Sequence, residues 1–542
     1  MSTLRRYFHT VRYLRAIQIG SRLRLMLPKR RPDLRRAPLA RRFDAGYVEP
    51  CQPEPSLIAP NVFLALNIQR ECRSARDWDP PEMSRLWVYQ LHYFEDLNAR
   101  DAAARSDWHE DWLLRWVCEN PPAAGPGWEP YPLSRRIVNW IKWSLRGGSL
   151  PQPCRESLAV QVRWLARHLE HHLLGNHLLA NAKALVHAGL YFEGREADSW
   201  YARGATLLGH EMHEQVLADG GHFELSPMYH AIALEDVLDM INVARAFGRV
   251  VPDQWHQVQG GMRTWLRVMS HPDGNISFFN DAAFAASPTL GDLERYALRL
   301  GESGVAAERM PLTMLAASGY VRAVLGDAYL ICDCAPVGPD HLPGHAHADT
   351  LSFELSLGST RVLVNSGTSQ YGTDAERQRQ RGTAAHNTVI VDETDSSEVW
   401  AGFRVARRAR ATLRSAEATP RSVSIQASHD GYRRLPGRNT HLRRWRLDGG
   451  GLYIEDEITG HFRCAEAHFF VHPDVTVKIE GSHDILLRLP SSRLVRIHFE
   501  GASSAIVRPA TWHPQFGAAI ANHCLVARFA AATLTTRISW DL

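Results

Sequence analysis

HLPGHAHADTLSFELSLGSTRVLVNSGT, residues 341 to 368, is the stretch on which the architecture turns. From Thr350 to Leu357 it alternates strictly: Leu351, Phe353, Leu355 and Leu357 take one face, Thr350, Ser352, Glu354 and Ser356 the other. A period of two predicts a half-buried strand. Carried backwards at that period, the apolar face runs into Asp349, His347 and His345. An extended backbone would then project two imidazoles and a carboxylate together from the rim of a core. Gly344, Ala346 and Ala348 between them leave room for something bulky to approach. A single His here reads as part of a polar turn; His-Ala-His-Ala-Asp on a core-facing parity reads as a functional site.

Downstream the texture stays the same. TRVLVNS, NTVIVDE, HLRRWRLDG, GLYIEDEIT, AHFFVHP, VTVKIE and SRLVRIHFE are short, rich in β-branched and aromatic residues, and punctuated by Gly, Asp and Pro. Such spacing predicts an antiparallel sandwich over residues 317–542. Upstream, residues 60–316 carry apolar residues at a 3.6 period with Gly and Pro between segments. Helices are predicted at 108–118, 133–146, 155–173, 177–192, 198–217, 229–248 and 255–270, with no strands among them. Successive helices with short connections predict antiparallel hairpins arranged as an (α/α) toroid or a solenoid. Residues 1–59 form a basic arm and linker, and the site falls at the junction of toroid and sandwich.

A chain of 542 residues is too long for one core. Sixteen Trp suit either sugar platforms or a helical core. Residues 1–42 hold 13 Lys/Arg against Asp33 alone, leaving 49 bases and 57 acids, a balance of −8, in the remaining 500 residues. A polyanion must therefore be held by a local basic patch. Nucleic acid is disfavoured, because basic residues beyond the arm mark no recognisable module. No apolar run is long enough for a transmembrane helix. Arginines interrupt every apolar run of the N-terminus, so it lacks the form of a cleaved signal. It reads instead either as a basic amphipathic segment for a membrane surface or acidic partner, or as a basic arm that is packed on its own protein or disordered. The eight Cys make no CxxC pattern.

Three further segments carry chemistry. In LGNHLLANAK (174–183), Gly175 and Asn176 read as a helix start, and His177 and Asn181 share a face. In DGGHFELSPMYH (219–230), Ser-Pro precedes a helix and places Tyr229 in its first turn, with His222 and Glu224 in the loop before it. In GWEPYPLSRRIVNW (127–140), Trp128, Tyr131 and Arg135 supply aromatics and a cation suited to walls for a sugar chain. WVYQLHYF (87–94) adds further aromatics. Arg377, Arg379 and Arg381 precede TAAHNTVIVD (383–392), in which His386 enters another alternating segment; Arg381 joins Trp128, Tyr131, Arg135, His222 and Glu224 as a candidate substrate contact.

Together GNHLLANAKAL, DGGHFELSPMYH, GHAHADTLSFEL, NSGTSQY and AAHNTVIVD, in this order, resemble the heparinase II/III family of polysaccharide lyases and its alginate-lyase relatives. The resemblance spans about residues 60 to 400. It implies a toroid followed by a sandwich, and β-elimination on an anionic, uronate-containing polysaccharide. By similarity Asn176 binds the uronate carboxylate, with His177 assisting as donor or base. Tyr229 is the acid, or both base and acid, and His345 is the base from the opposite face or a partner of Tyr229. The resemblance also implies a structural divalent metal, usually zinc, at His347, Asn365 and His386. Asn365 stands where the family has Asp, and an amide is the weaker ligand. It further implies a bacterial periplasmic or envelope location, whereas the missing signal would suit the cytoplasm.

The residue types fit elimination on their own terms. Neutralising the carboxylate stabilises an enolate-like transition state, a base takes the C5 proton, and an acid protonates the departing O4. Two other classes compete. An inverting hydrolase would need two carboxylates roughly 6.5–9.5 Å apart, drawn from Asp219, Glu224 and Glu129. A non-catalytic polysaccharide-binding or assembly protein would need none of this chemistry.

Overall fold

A computed structural model describes residues 3–28, 31–43, 46–304 and 310–541. The N-terminal arm holds two short helices, α1 (Thr3–Val11) and α2 (Ala16–Leu25). Extended chain follows and lies along the helical body, where Arg41 N–H donates to Tyr191 O at 2.7 Å and Glu193 N–H to Leu39 O at 2.8 Å. A small antiparallel sheet, Leu57–Ala59, Val62–Ala65 and Ile68–Glu71, comes next. The 3.6-period reading of residues 60–316 did not include it, because its strands are only three or four residues long and two of them are half exposed.

The helical domain continues with α3 (Arg85–Tyr93), α4 (Ser106–Glu119), α5 (Pro130–Leu145), α6 (Gln152–Arg167), α7 (Gly175–Tyr191), α8 (Arg195–Gln215), α9 (Pro227–Ala246), α10 (Asp253–Val268) and α11 (Leu290–Arg299). Seven of these lie within a few residues of the expected positions. The exception is the end of α6: the apolar pattern ran on to residue 173, but the helix stops at Arg167. The chain turns there so that the Glu170 backbone N–H can donate to Asn181 Oδ1 at 2.9 Å and its carboxylate can accept from Asn181 Nδ2 at 3.1 Å. Most Trp residues serve this core. Trp78, Trp87, Trp116 and Trp140 are fully buried, and Arg136 is sandwiched with its guanidinium 3.7 Å from the Trp116 ring. Helix α7 is buried along nearly its whole length, and Gly189 lets α8 approach, because a Cβ there would collide with the Tyr201 backbone.

The C-terminal half is two antiparallel sheets packed face to face. One runs in the order Ala411–Thr419, Ser422–His429, Thr440–Asp448, Gly451–Thr459, Thr533–Trp540, Leu494–Glu500, Asp484–Arg488, Thr476–Ile479. The other runs Ser504–Trp512, Ile520–Phe529, Ala465–Val471, Thr360–Leu363, Phe353–Leu357, Ala328–Asp333, Tyr320–Leu325, Leu312–Leu315, with Val389–Val391 paired to Ala465–Val471. The first strand thus begins at Leu312, slightly before the expected boundary at 317.

The deciding stretch folds differently from its reading in two respects. Of the alternating segment Thr350–Leu357 only Phe353–Leu357 is strand, and all five residues are buried. Leu351, Phe353, Leu355 and Leu357 fill the sandwich core, while the polar face is pressed onto the helical domain. There His271 Nε2 meets Glu354 Oε2 at 2.9 Å and His271 Nδ1 meets Ser356 Oγ at 2.8 Å. Alternation here separates two buried environments, not core from water. Nor does the extended backbone reach His345: Leu351 has φ 64°, and Ser352 N–H closes a turn on Asp349 O at 2.8 Å. Residues 344–349 form a loop. Arg381 holds it, donating from Nε and Nη2 to Ala346 O at 3.1 and 2.9 Å and accepting at its own carbonyl from Ala348 N–H at 2.9 Å.

Candidate active site

Three helices deliver side chains to one groove from their first turns. Helix α7 starts at Gly175, whose φ of 56° and contact with Glu224 suit glycine, since a Cβ would meet the carboxylate and Leu342. Asn176 follows. In α9, Ser226 Oγ accepts from Tyr229 N–H at 3.2 Å, the cap that sets Tyr229 at the groove. In α5, Tyr131 occupies the first turn and lies against the His177 ring, with centroids 4.4 Å apart.

The sandwich side contributes His345. Its ring stacks on Tyr229 at 3.8 Å between centroids, and its Nε2 lies 3.5 Å from Asn176 Nδ2. Asn176, Tyr229 and His345 therefore share one groove between toroid-type helices and sandwich, and His177 lines it through Tyr131.

Behind these groups stands a buried carboxylate that sequence reasoning missed. Asp281 Oδ2 meets His345 Nδ1 at 2.9 Å, and Oδ1 meets His347 Nε2 at 2.9 Å. Arg377 grips both its oxygens, with Nη2 2.8 Å from Oδ2. Burial opposes the charge of Asp281, but Arg377 and the two imidazoles hold its carboxyl well below the usual range. The signal available was one acid in FFNDAAF (278–284), an otherwise apolar run. Bonding to Asp281 puts the proton of neutral His345 on Nδ1 and frees the Nε2 lone pair toward the groove.

Tyr229 Oη lies 2.9 Å from Tyr371 Oη. Burial, reinforced by Tyr371 and Asp281, raises the Tyr229 phenol well above its ordinary value, so it carries its proton at neutral pH. Glu224 clamps Asn176, accepting the backbone N–H at 3.0 Å and Nδ2 at 3.1 and 3.0 Å. Burial disfavours the Glu224 carboxylate, yet His345, His222 and the Asn176 donors outweigh it and lower its titration. One amide hydrogen is thereby committed to Glu224 and the other is turned toward His345.

His177 Nδ1 pairs with Glu170 Oε1 at 3.0 Å. Burial alone would lower the His177 pKa, but Glu170 more than reverses that and raises it above 6.5. A raised folded-state value means the pairing stabilises fully below the unfolded pKa and is lost as pH climbs through the folded one. The melting-temperature gap between wild type and His177→Gln is accordingly expected to be widest below the ordinary imidazole value and to shrink as pH rises through the raised one. A gap that widens with pH would refute the pairing.

Four expected substrate contacts do not reach the groove. Trp128 is in the helical core, with Nε1 donating to Asn120 O at 3.3 Å. His222 is buried against Gln215, Glu224 serves Asn176, and Arg381 ties the loop of residues 344–349 to Ala401 and Gly402. These residues position the site. Aromatic and basic types at a motif cannot reveal burial, which depends on packing from distant segments. Arg135 does face open space. It pairs with Glu95 at 2.6 Å and lines a cavity of about 530 Å³ bounded by α5, α7 and α9 beyond the groove.

The acids named for a hydrolase are each engaged by other side chains. Asp219 is bonded by Ser318, Glu224 by Asn176, and Glu129 by Arg85 and Tyr89, which leaves no free pair from that set. Among the described residues, His347, Asp349 and His386 form a buried group whose donor atoms lie within 4.8 Å of one another. The Asn365 amide is otherwise engaged: Oδ1 accepts from Asn387 N–H at 3.1 Å and Nδ2 lies 3.4 Å from Ser352 Oγ.

Comparison with known proteins bears on the family and the fold. Residues 79–297 match the family model described as heparinase II/III N-terminus, and residues 307–541 match heparinase II/III-like, C-terminal. A heparin-sulfate lyase of Bacteroides stercoris is 26% identical over 252 residues, 42% of this chain and 38% of that protein. FtsZ-localized protein C of Caulobacter vibrioides is 26% identical over 344 residues, 58% of this chain and 56% of that protein. The matches thus span 38 to 56% of the length of these curated relatives. A crystal structure of heparinase III superposes with a TM-score of 0.71 at 18% identity, covering 85% of this chain and 79% of that one. With both halves matched in order and the motif residues gathered at their junction, the chain belongs to the heparinase II/III family.

Proposed function

We propose that the protein is a polysaccharide lyase that cleaves a uronate-containing polysaccharide by β-elimination. The observation that carries this is the meeting of an amide donor, an Asp-oriented imidazole and a protonated phenol in one groove. The Asn176 N–H turned toward His345, held there at only 3.5 Å, shifts to the uronate carboxylate when substrate binds and, with His177 beside it, neutralises that charge and lowers the cost of carbanion character at C5. His345 Nε2 takes the C5 proton. The electron pair becomes the C4–C5 double bond, the C4–O4 bond breaks, and Tyr229 gives its proton to the departing oxygen. The imidazolium and phenolate left behind lie in stacked contact, and solvent exchange restores both. An uncleaved polymer is held along the groove beside Tyr131 and Arg135.

The names of the lyase relatives make heparan-type glycosaminoglycans the first substrates to test, beside alginate and other uronate polymers. A rise in near-ultraviolet absorbance from the new double bond is expected. New reducing ends without that absorbance, or no cleavage across the panel, would overturn the reading.

A structural divalent metal, zinc by type, fits His347 and His386 with Asp349 in the third place. His347 Nδ1 faces His386 Nε2 at 3.2 Å, and His347 Nε2 is engaged by Asp281, which leaves Nδ1 as the ligand atom. Burial lowers the two imidazoles to about 4 and about 3, so both are neutral as ligation requires. Bound there, the ion would supply fixed positive charge and rigidity beneath His345. Zinc titration followed by calorimetry is expected to show one site that His386→Ala removes, with a lower melting temperature after chelation. A melting temperature indifferent to both zinc and chelator would exclude it.

A further inference from the structure

The arm presents an apolar surface to solvent that nothing in the lyase reading uses. In α1, Leu4, Phe8 and Val11 fall at i, i+4 and i+7; in α2, Ile19 and Leu23 share one face, and Met26 and Leu27 follow in the turn that ends it. Leu4, Phe8, Leu23, Met26 and Leu27 are each 60 to 80% exposed, and of the two helices only Gln18 is buried. Amphipathic helices of a folded protein ordinarily turn such stripes inward; here both stripes face out.

The arm is nonetheless fixed by its other side. The Tyr7 ring stands edge-on to Trp400 at 4.9 Å, and Trp400 Nε1 donates to Thr10 Oγ1 at 3.1 Å. The Arg408 guanidinium lies 4.2 Å from the centre of the Tyr13 ring, and Gln18 Nε2 donates to His341 O at 3.2 Å. Residues 3–28 contain Arg5, Arg6, Arg12, Arg15, Arg22 and Arg24 and no acid. Of these six arginines only Arg15 has an ion pair among the described residues, to Glu214, and Arg22 Nη1 is buried without a partner.

We propose that α1 and α2 dock this protein on a lipid bilayer bearing anionic headgroups, with both helices in the plane of the interface. The stripes enter the acyl boundary and the arginines meet the headgroups. Charge complementarity selects this occupant, because a second copy would set the same acid-free arginines against themselves. Among the described residues no helix is long and apolar enough to cross a membrane. Since Gln18 holds His341, four residues before His345, docking sets the groove at a fixed relation to the bilayer. The inference is independent of the elimination chemistry.

The test is co-sedimentation of the full chain with mixed phosphatidylglycerol–phosphatidylcholine vesicles and with phosphatidylcholine alone. Binding to the anionic vesicles that weakens with salt is expected. The double variant Phe8→Glu/Leu23→Glu should lose it by about tenfold or more, since each change removes a large apolar side chain from the boundary and adds a repelled charge. Its melting temperature should stay unchanged, because both residues are exposed. Equal binding to both vesicle types, retained binding by the variant, or a wild-type dimer in sedimentation equilibrium that the variant dissolves would each overturn the proposal.

Discussion

Tyr229→Phe is expected to abolish turnover while leaving polysaccharide binding nearly intact. The substitution removes one oxygen, and with it the contact to Tyr371 Oη, but keeps the ring stacked on His345. The base and the Asn176 donor are unaffected. What is lost is the proton for the departing oxygen, a contribution worth about 10²–10⁴ in rate. The decisive reading is the split between kcat, which should fall, and KM, which should hold. A variant that retained more than about a tenth of wild-type kcat would remove Tyr229 from the chemistry. A loss confined to KM would make it a binding residue only.

The second large effect is expected at Asp281, and it should appear in both stability and rate. Asp281→Asn keeps the volume but leaves Arg377, itself fully buried, without its counter-charge. Breaking a buried pair from one side costs about 3–5 kcal/mol, visible in urea unfolding. The amide also offers an N–H where an acceptor is needed, so His345 can settle in the tautomer with its proton on Nε2, the atom facing Asn176. In the Ser-His-Asp enzymes the same exchange costs about 10⁴ in kcat, and a loss of that order is expected here. Arg377→Met in the same background should recover part of the stability and none of the rate. Rate recovering together with stability would show that Asp281 acts only as a structural anchor.

Both predictions rest on contacts that differ in how far the sequence announced them. The local order was legible in the chain. The 3.6 period in residues 106–268 marked the helices, because each must bury one face, and the short β-branched segments marked the sandwich. Gly175-Asn176 and Ser226-Pro227 marked helix starts, the second by the local capping of Tyr229 N–H by Ser226, and so the first-turn positions of Asn176 and Tyr229 followed. Linear order also showed which motifs belonged together.

Tertiary structure alone decided which of those residues face the groove. Trp128, His222 and Arg381 carry side-chain types suited to sugar contact, yet segments remote in sequence bury them. His345 and His347 were assigned by strand parity, but a loop pinned by Arg381 actually places them. Asp281 joins His345, His347 and Arg377 across separations of 64 to 96 residues, and no local pattern encodes such a meeting. Periodicity and capping are set within a turn or two of chain. The ionic centre exists only because two domains close over it, excluding water from a charge that each would otherwise leave solvated.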